Sequence, residues 1–274
     1  MNMLVTERDK RVVELVGRAR VATARQVKIA EFGLGRRTRC SDRLQLMVEN
    51  QWLDVIKVKP ANQPHIYRLG KRSSNGHQYL RLLWGEKIFK SHMTRIWNLQ
   101  HLLGITELRV RVIRACKDNS YQLLYWQRSE DLQPLFKQFT LIPDAYFVIQ
   151  RLVDGDIKRS HYFLEYELSL KSNEVIREKL QGYYDLIASG QFAQLFGTDQ
   201  SPDLIPRVLF IFAPFQNLSP KPRVLSGVKM AAELGADFSR FVTLGTLTET
   251  SPTDILSASI WHSNFTESPQ PLLG

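Results

Sequence analysis

Three acidic side chains stand where a sheet would gather them. In the stretch PDAYFVIQRLVDGDIKRSHYFLEYE, residues 143–167, Asp144 sits at the entrance of one expected strand, and Glu165 and Glu167 lie near the end of the next. Side chains along a strand alternate between faces. Tyr162, Leu164, Tyr166 and Leu168 are therefore expected on one side as core, with Phe163, Glu165 and Glu167 on the other. An antiparallel pairing turned by Asp154 and Gly155 brings Asp144 near Glu165. Two converging carboxylates supply hard oxygen ligands for Mg2+, which lowers the pKa of a water that attacks a phosphodiester. The polar side of an ordinary hairpin would carry the same residues, so the hairpin alone does not choose between these readings.

Competing chemistries find less support. The six histidines are scattered without ligand spacing, and Cys40 and Cys116 are too few and too isolated for a disulfide framework or a zinc site. Both cysteines are expected as small core residues. No Gly-rich loop has the spacing that holds nucleotide phosphates. Glu130 follows an expected strand and reads as a loop acid that is able to approach Asp144 from the side; Trp126, Tyr146 and Tyr166 read as core.

The elements that must position the carboxylates begin after residue 120. YQLLYWQ is an apolar run suited to a buried strand, TLIPDAYFVIQ and HYFLEYELS read as further strands, and RVLFIFAP and RFVTLGTL add two more. SNEVIREKLQGYYDLIASG, with Ser172 or Asn173 as N-cap, and PRVLSGVKMAAELG are helices between them. Strands alternating with helices on a sheet predict an α/β layer domain. The ending TESPQPLLG reads as a frayed tail.

The first hundred residues differ in charge. They hold 20 Lys+Arg against 8 Asp+Glu, a balance of +12, whereas the remainder holds 17 against 19, or −2, giving the net +10. A domain-sized basic excess marks a polyanion-binding face. TERDKRVVELVGRA predicts a helix capped by Thr6, TARQVKIAEF a second capped by Thr23, and RTRCSDRLQLMVENQW a third with Cys40, Leu44, Met47 and Val48 inward. Arg36, Arg37, Arg39 and Arg43 are expected on its other face. LDVIKVK and HIYRLG then form a hairpin around PANQP. Three helices and a hairpin make the order of a winged helix-turn-helix, whose third helix enters the major groove of duplex DNA. Four phosphate contacts there would give log affinity a slope of about −3.6 against log salt. The polar stretch GKRSSNGHQ, residues 70–78, reads as the boundary, with two helices following it and no internal repeat.

Pro143-Asp144 followed after a hairpin by Glu165-x-Glu167 resembles the PD-(D/E)XK nuclease pattern. The surrounding string, with the HLL beginning at His101, LLYWQRSE, PDAYFVI, FLEYE and Lys179 four residues before Tyr183, is more specifically similar to the replication-relaxation family of plasmids and other mobile elements. The resemblance implies a restriction-endonuclease-like fold behind a winged helix, with Asp144 and Glu165 as metal ligands. It departs at one place: Glu167 stands where active nucleases usually keep a lysine that supports the developing phosphorane charge. Lys171 or Lys179 would have to supply that charge from elsewhere, with Glu167 as a third ligand; alternatively the site has decayed.

The expected architecture is α/β, or α+β overall: a winged helix over 1–75, a helical linker over 76–95 and a PD-(D/E)XK-like domain over 96–274. The leading reading is a DNA-binding protein that controls or assists replication or processing of a mobile element, with double-stranded DNA as partner. The alternatives are an active endonuclease using Mg2+ or Mn2+, with Asp144, Glu165, Glu167, Lys179 and Lys171 as its candidate site, and an adaptor for other proteins of a DNA-processing complex. Homodimer pairing stays open, since no heptad segment marks an interface. No apolar run long enough for a bilayer and no secretory leader are apparent, so no membrane association and a cytoplasmic location are expected.

Overall fold

The computed structural model describes residues 3–33, 38–57, 64–85, 96–137, 139, 141–168, 173–196, 205–214, 216 and 218–273. Its fold is mixed α/β, α+β overall, with two sheets and two compact units, Met1–Arg114 and Ala115–Gly274.

In the N-terminal unit, α1 (Glu7–Ala19) starts where Thr6 caps it. The Thr6 hydroxyl accepts from the Asp9 backbone N–H while the Asp9 carboxylate accepts from the Thr6 N–H, a reciprocal capping box. Thr23 and Gln26 repeat this at α2 (Ala24–Val27), which runs on as a π-helical turn over Lys28–Phe32. The third helix, α3 (Thr38–Glu49), buries Cys40, Leu44 and Met47 against Val12, Val13 and Val16 of α1, as the periodicity predicts. Strands β2 (Asp54–Ile56) and β3 (Ile66–Arg68) pair antiparallel, and a short β1 (Ala22–Thr23) adds a third strand on β3. Two residues carry too little periodicity to announce a strand, which is why β1 is invisible in the sequence.

Residues 70–78, expected as a boundary, contain the start of α4 (Asn75–Trp84), with the Ser74 hydroxyl accepting from the His77 N–H. The helix is pinned by Gly76, whose added Cβ would lie 2.1 Å from the Trp52 carbonyl oxygen. Backbone cannot step aside as a side chain can, so Gly76→Ala is expected to destabilise this unit by about 3 kcal/mol, at the upper end of overpacking costs. A urea melt of the variant checks this. The long helix α5 (Ile96–Asp118) contains the boundary between the units.

The C-terminal unit is built on a five-stranded sheet in the order β4-β5-β6-β7-β8: β4 (Gln122–Arg128), β5 (Ala145–Val153), β6 (Asp156–Glu167), β7 (Arg207–Phe212) and β8 (Ser239–Thr243). Strands β4, β5 and β6 run antiparallel, and β6, β7 and β8 parallel. The β5–β6 turn uses Asp154 at φ 54° and Gly155 at φ 88°, the pair of positive values that a type I′ hairpin demands. Short helix α6 (Ser129–Leu132) follows β4, then α7 (Asn173–Ala188) and α8 (Gln191–Phe196) follow β6, α9 (Lys221–Leu234) follows β7, and α10 (Leu244–Glu249) follows β8. Gly235 ends α9 in the left-handed conformation. One sheet face carries Tyr146, Val148, Phe163, Val208, Phe210, Phe212 and Phe241, packed with Ile176, Leu180 and Tyr183 of α7, Phe192 of α8 and Val224 and Met230 of α9.

Three expectations change. YQLLYWQ forms β4, but as an edge strand with Leu124 and Tyr125 exposed and an irregular register beside them, because among the described residues only β5 pairs with it. Phe163, Glu165 and Glu167 are as buried as Tyr162 and Leu164: parallel pairing with β7 makes β6 central, and both its faces are covered at this end. The C-terminal tail is not frayed. Trp261 bridges Gln270, the Leu273 N–H donates to the Leu256 carbonyl at 2.8 Å, and Leu272 is fully buried.

Candidate functional site

The hairpin register continues past Ala145↔Leu164 to set Asp144 opposite Glu165. Two bonds hold Asp144 there: its N–H donates to the Leu164 carbonyl at 3.0 Å, and its Oδ2 accepts from the Tyr166 N–H at 2.8 Å. Asp144 is half-buried, while Glu165 and Glu167 are only 1% and 0% exposed. Carboxylates taken so far from water are costly to ionise without a counter-charge.

Lys179 supplies it. One turn and a half into α7, on a helix held to the sheet by Ile176, Leu180 and Tyr183, its ammonium donates to Glu165 Oε2 and, at 2.5 Å, to Glu167 Oε1. The Tyr183 hydroxyl donates to the other Glu165 oxygen at 2.6 Å. The i, i+4 spacing of Lys179 and Tyr183 lets one helix face deliver both donors. Burial pushes the Glu165 carboxyl up to about 7, against the pull of Lys179, with Asp144 adding to the rise. Burial works against the Lys179 charge too, but Glu165, Glu167 and Asp144 outweigh it and raise its pKa, so the ammonium persists at neutral pH. Burial and the same carboxylates raise the Tyr183 phenol well above its ordinary value, which keeps it a donor.

The structure thus brings together Asp144, Glu165, Glu167 and Lys179. Tyr183, which periodicity marks only as core, joins them; its position four residues beyond Lys179 was the available signal. Lys171 lies outside the described residues. Glu130 sits in α6 instead of a loop and pairs with Arg128 at 3.7 Å. Among the described residues no group of three or more His, Cys, Asp or Glu is placed to hold a metal ion. Magnesium, however, keeps several waters and takes one or two carboxylates. Asp144 and Glu165 offer oxygen donors of that type, but both Glu165 oxygens already accept, Oε2 from Lys179 and Oε1 from Tyr183.

A second candidate lies in the N-terminal unit. A cleft of about 700 Å3 is lined by Arg25 of α2, Lys28 of the π-turn, Ser41 and Gln45 of α3, and His65 and Tyr67 beside and within β3. Arg39 is exposed on the same helix α3. Arg43 is turned inward: Nε donates to Asp9 Oδ1 at 2.9 Å, one Nη to Asp9 Oδ2 at 2.5 Å and to the Leu4 carbonyl at 2.6 Å. Asp9 is fully buried. Burial opposes its ionisation, yet hydrogen bonds from Arg43 and Thr6 prevail and lower its carboxyl from 3.8 to about 2. Arg36 and Arg37 lie outside the described residues.

Among the described residues no helix is long and apolar enough to cross a membrane. The chain matches the family model described as replication-relaxation over residues 13–198, more than half its length. No curated protein and no solved structure matches it.

Proposed function

The chain belongs to the replication-relaxation family, and from that membership we propose that it binds duplex DNA of a plasmid or other mobile element and acts in the replication or processing of that DNA. The observation that carries this reading is the cleft beside α3, where Arg25 and Lys28 meet the polar Ser41 and Gln45 of the helix and His65 of the hairpin. Three helices, a hairpin and a basic excess in the same segment support a winged helix-turn-helix, in which α3 reads base edges and neighbouring cations hold phosphates. Gln45 is of a type suited to adenine, and Arg39 to guanine or phosphate.

Arg43 has a different part. It holds Asp9, so its removal would disturb the unit's shape before it touched any DNA contact. Lys28→Gln with Arg39→Gln is expected to flatten the dependence of log affinity on log salt by about 1.8, two contacts at about 0.9 each. Fluorescence titrations of a duplex at several salt concentrations read this. Binding that ignores salt, or a double variant with the wild-type slope, removes the proposal.

A second reading is favoured by one observation, the reach of Lys179 to Glu165. In it the C-terminal unit is a PD-(D/E)XK-like domain, supported by its order of helix, three antiparallel strands, helix and parallel strand, and its site cuts DNA. Asp144 and Glu165 would hold Mg2+ or Mn2+, an ion that when bound acidifies the attacking water. Lys179 would bring from α7 the positive charge that Glu167 cannot supply at the usual place, and Tyr183 would keep Glu165 oriented. Incubation of plasmid and linear DNA with either ion is expected to show nicking that Asp144→Ala/Glu165→Ala abolishes. Uncut DNA, or equal cutting by the variant, leaves the cluster as a buried ion network in a DNA-binding protein.

A further inference from the structure

Arg223 stands in the first turn of α9 with its guanidinium carbon 4.6 Å from the centroid of the Phe212 ring. Phe212 is the register partner of Glu167 across β6 and β7, on the face that carries Lys179 and Glu165. The arginine therefore lies beside the Glu167 end of the cluster; burial lowers its pKa, against the pull of that carboxylate. Even so, both Nη1 and Nη2 are buried without a hydrogen-bond partner among the described residues.

That combination asks for an explanation. A guanidinium carries five donors in a fixed fork, and buried donors left unpaired are costly. Stacking on Phe212 fixes the plane of the fork but satisfies none of its N–H groups. The group that best fills such a fork is a planar pair of anionic oxygens, as on a carboxylate or a phosphodiester. Lys179 holds Glu167 Oε1, and neither Arg223 Nη makes a hydrogen bond to that carboxylate. In open α/β sheets, moreover, ligands settle outside the carboxyl ends of the parallel strands. Arg223 lies at that end of β6 and β7, and the residue as a whole is half-buried, at the rim of the covered face.

We propose that Arg223 is a phosphate-binding subsite of the C-terminal unit, its guanidinium taking the non-bridging oxygens of a nucleic-acid phosphodiester beside the Asp144–Glu165–Lys179 cluster. The inference rests on the proposal that this chain binds duplex DNA, and it holds whether or not the DNA is cut. Arg223 lies beyond the family match, which ends at residue 198.

The test is binding of a short duplex by the full chain in EDTA, so that cleavage plays no part. Arg223→Gln is expected to reduce the steepness of log affinity against log salt by about 0.9, the loss of one phosphate contact. Its melting temperature is expected to fall only slightly, since neither Nη makes a hydrogen bond among the described residues and glutamine gives up chiefly the stacking on Phe212. Arg223→Lys keeps the charge but loses the fork, so it is expected to keep the slope while binding more weakly at each salt concentration. An unchanged slope in the glutamine variant overturns the proposal, as does a lysine variant as flat as the glutamine one. A sharply lowered melting temperature with the slope intact assigns Arg223 to packing and overturns it too. The nuclease reading fails separately: protein that never cuts while Arg223→Gln flattens the slope loses that reading alone, and protein that cuts while the slope is unmoved loses only this one.

Discussion

Lys179→Met is expected to unfold the C-terminal unit about 3–5 kcal/mol more easily than the wild type at pH 8, the range for removing one partner of a buried ion pair. Its ammonium is the cation bound to both Glu165 and Glu167, which sit in a central strand with almost no exposure. The loss is expected to shrink on acidification, and the sign follows from Glu165. Its folded pKa of about 7 lies above the ordinary 4.5, so between these values the folded state binds more protons than the unfolded chain. Stability attributable to this group therefore falls as pH rises from about 4.5 to about 7, and a protonated Glu165 asks less of Lys179. Urea melts of wild type, Lys179→Met and Glu165→Gln between pH 5 and 8 decide the matter. Glu165→Gln is expected to lose the pH slope; a Lys179→Met penalty that stays constant, or is absent, contradicts the cluster's electrostatics.

The second large effect belongs to the N-terminal unit. Arg43→Ala leaves Asp9 fully buried with only Thr6, among the described residues, bound to it, and a cost of about 3–5 kcal/mol is expected for an orphaned buried charge. Lysine is not expected to rescue it, because it lacks the fork that engages both Asp9 oxygens. The folded pKa of about 2 is depressed from 3.8, so the stability it represents is present above 3.8 and is lost as pH falls through about 2. Without Arg43, burial raises that carboxyl, and the gap between variant and wild type should narrow toward pH 4. Denaturant melts at pH 7 and pH 4 measure this. A variant as stable as wild type at pH 7 would return Arg43 to the set of surface arginines available to DNA.

Much of the scaffold was legible because its signals are local. Thr6 and Thr23 cap their helices through bonds spanning three residues, Asp154-Gly155 turns the hairpin through its own φ values, and Cys40, Leu44 and Met47 declare one helix face by spacing. The hairpin also placed Asp144 opposite Glu165, since register follows from where the turn sits.

What only the tertiary structure decided involves partners far along the chain. The sequence by itself marked Lys171 and Lys179 as candidates to replace the missing lysine, and the α7 packing brought Lys179 to both glutamates. Periodicity marked Arg43 as part of a basic face, and Asp9, 34 residues earlier, drew it inward. Alternation told Glu165 and Glu167 apart from the core, yet parallel pairing with β7 buried them as deeply as the core itself, and left the apolar YQLLYWQ at the exposed edge. Strand alternation and helix spacing state which side chains share a face, because they depend on dihedral angles a few residues apart. Whether that face meets water, a strand or an opposite charge depends on elements brought together by folding, and the physical character of each charged group is set there.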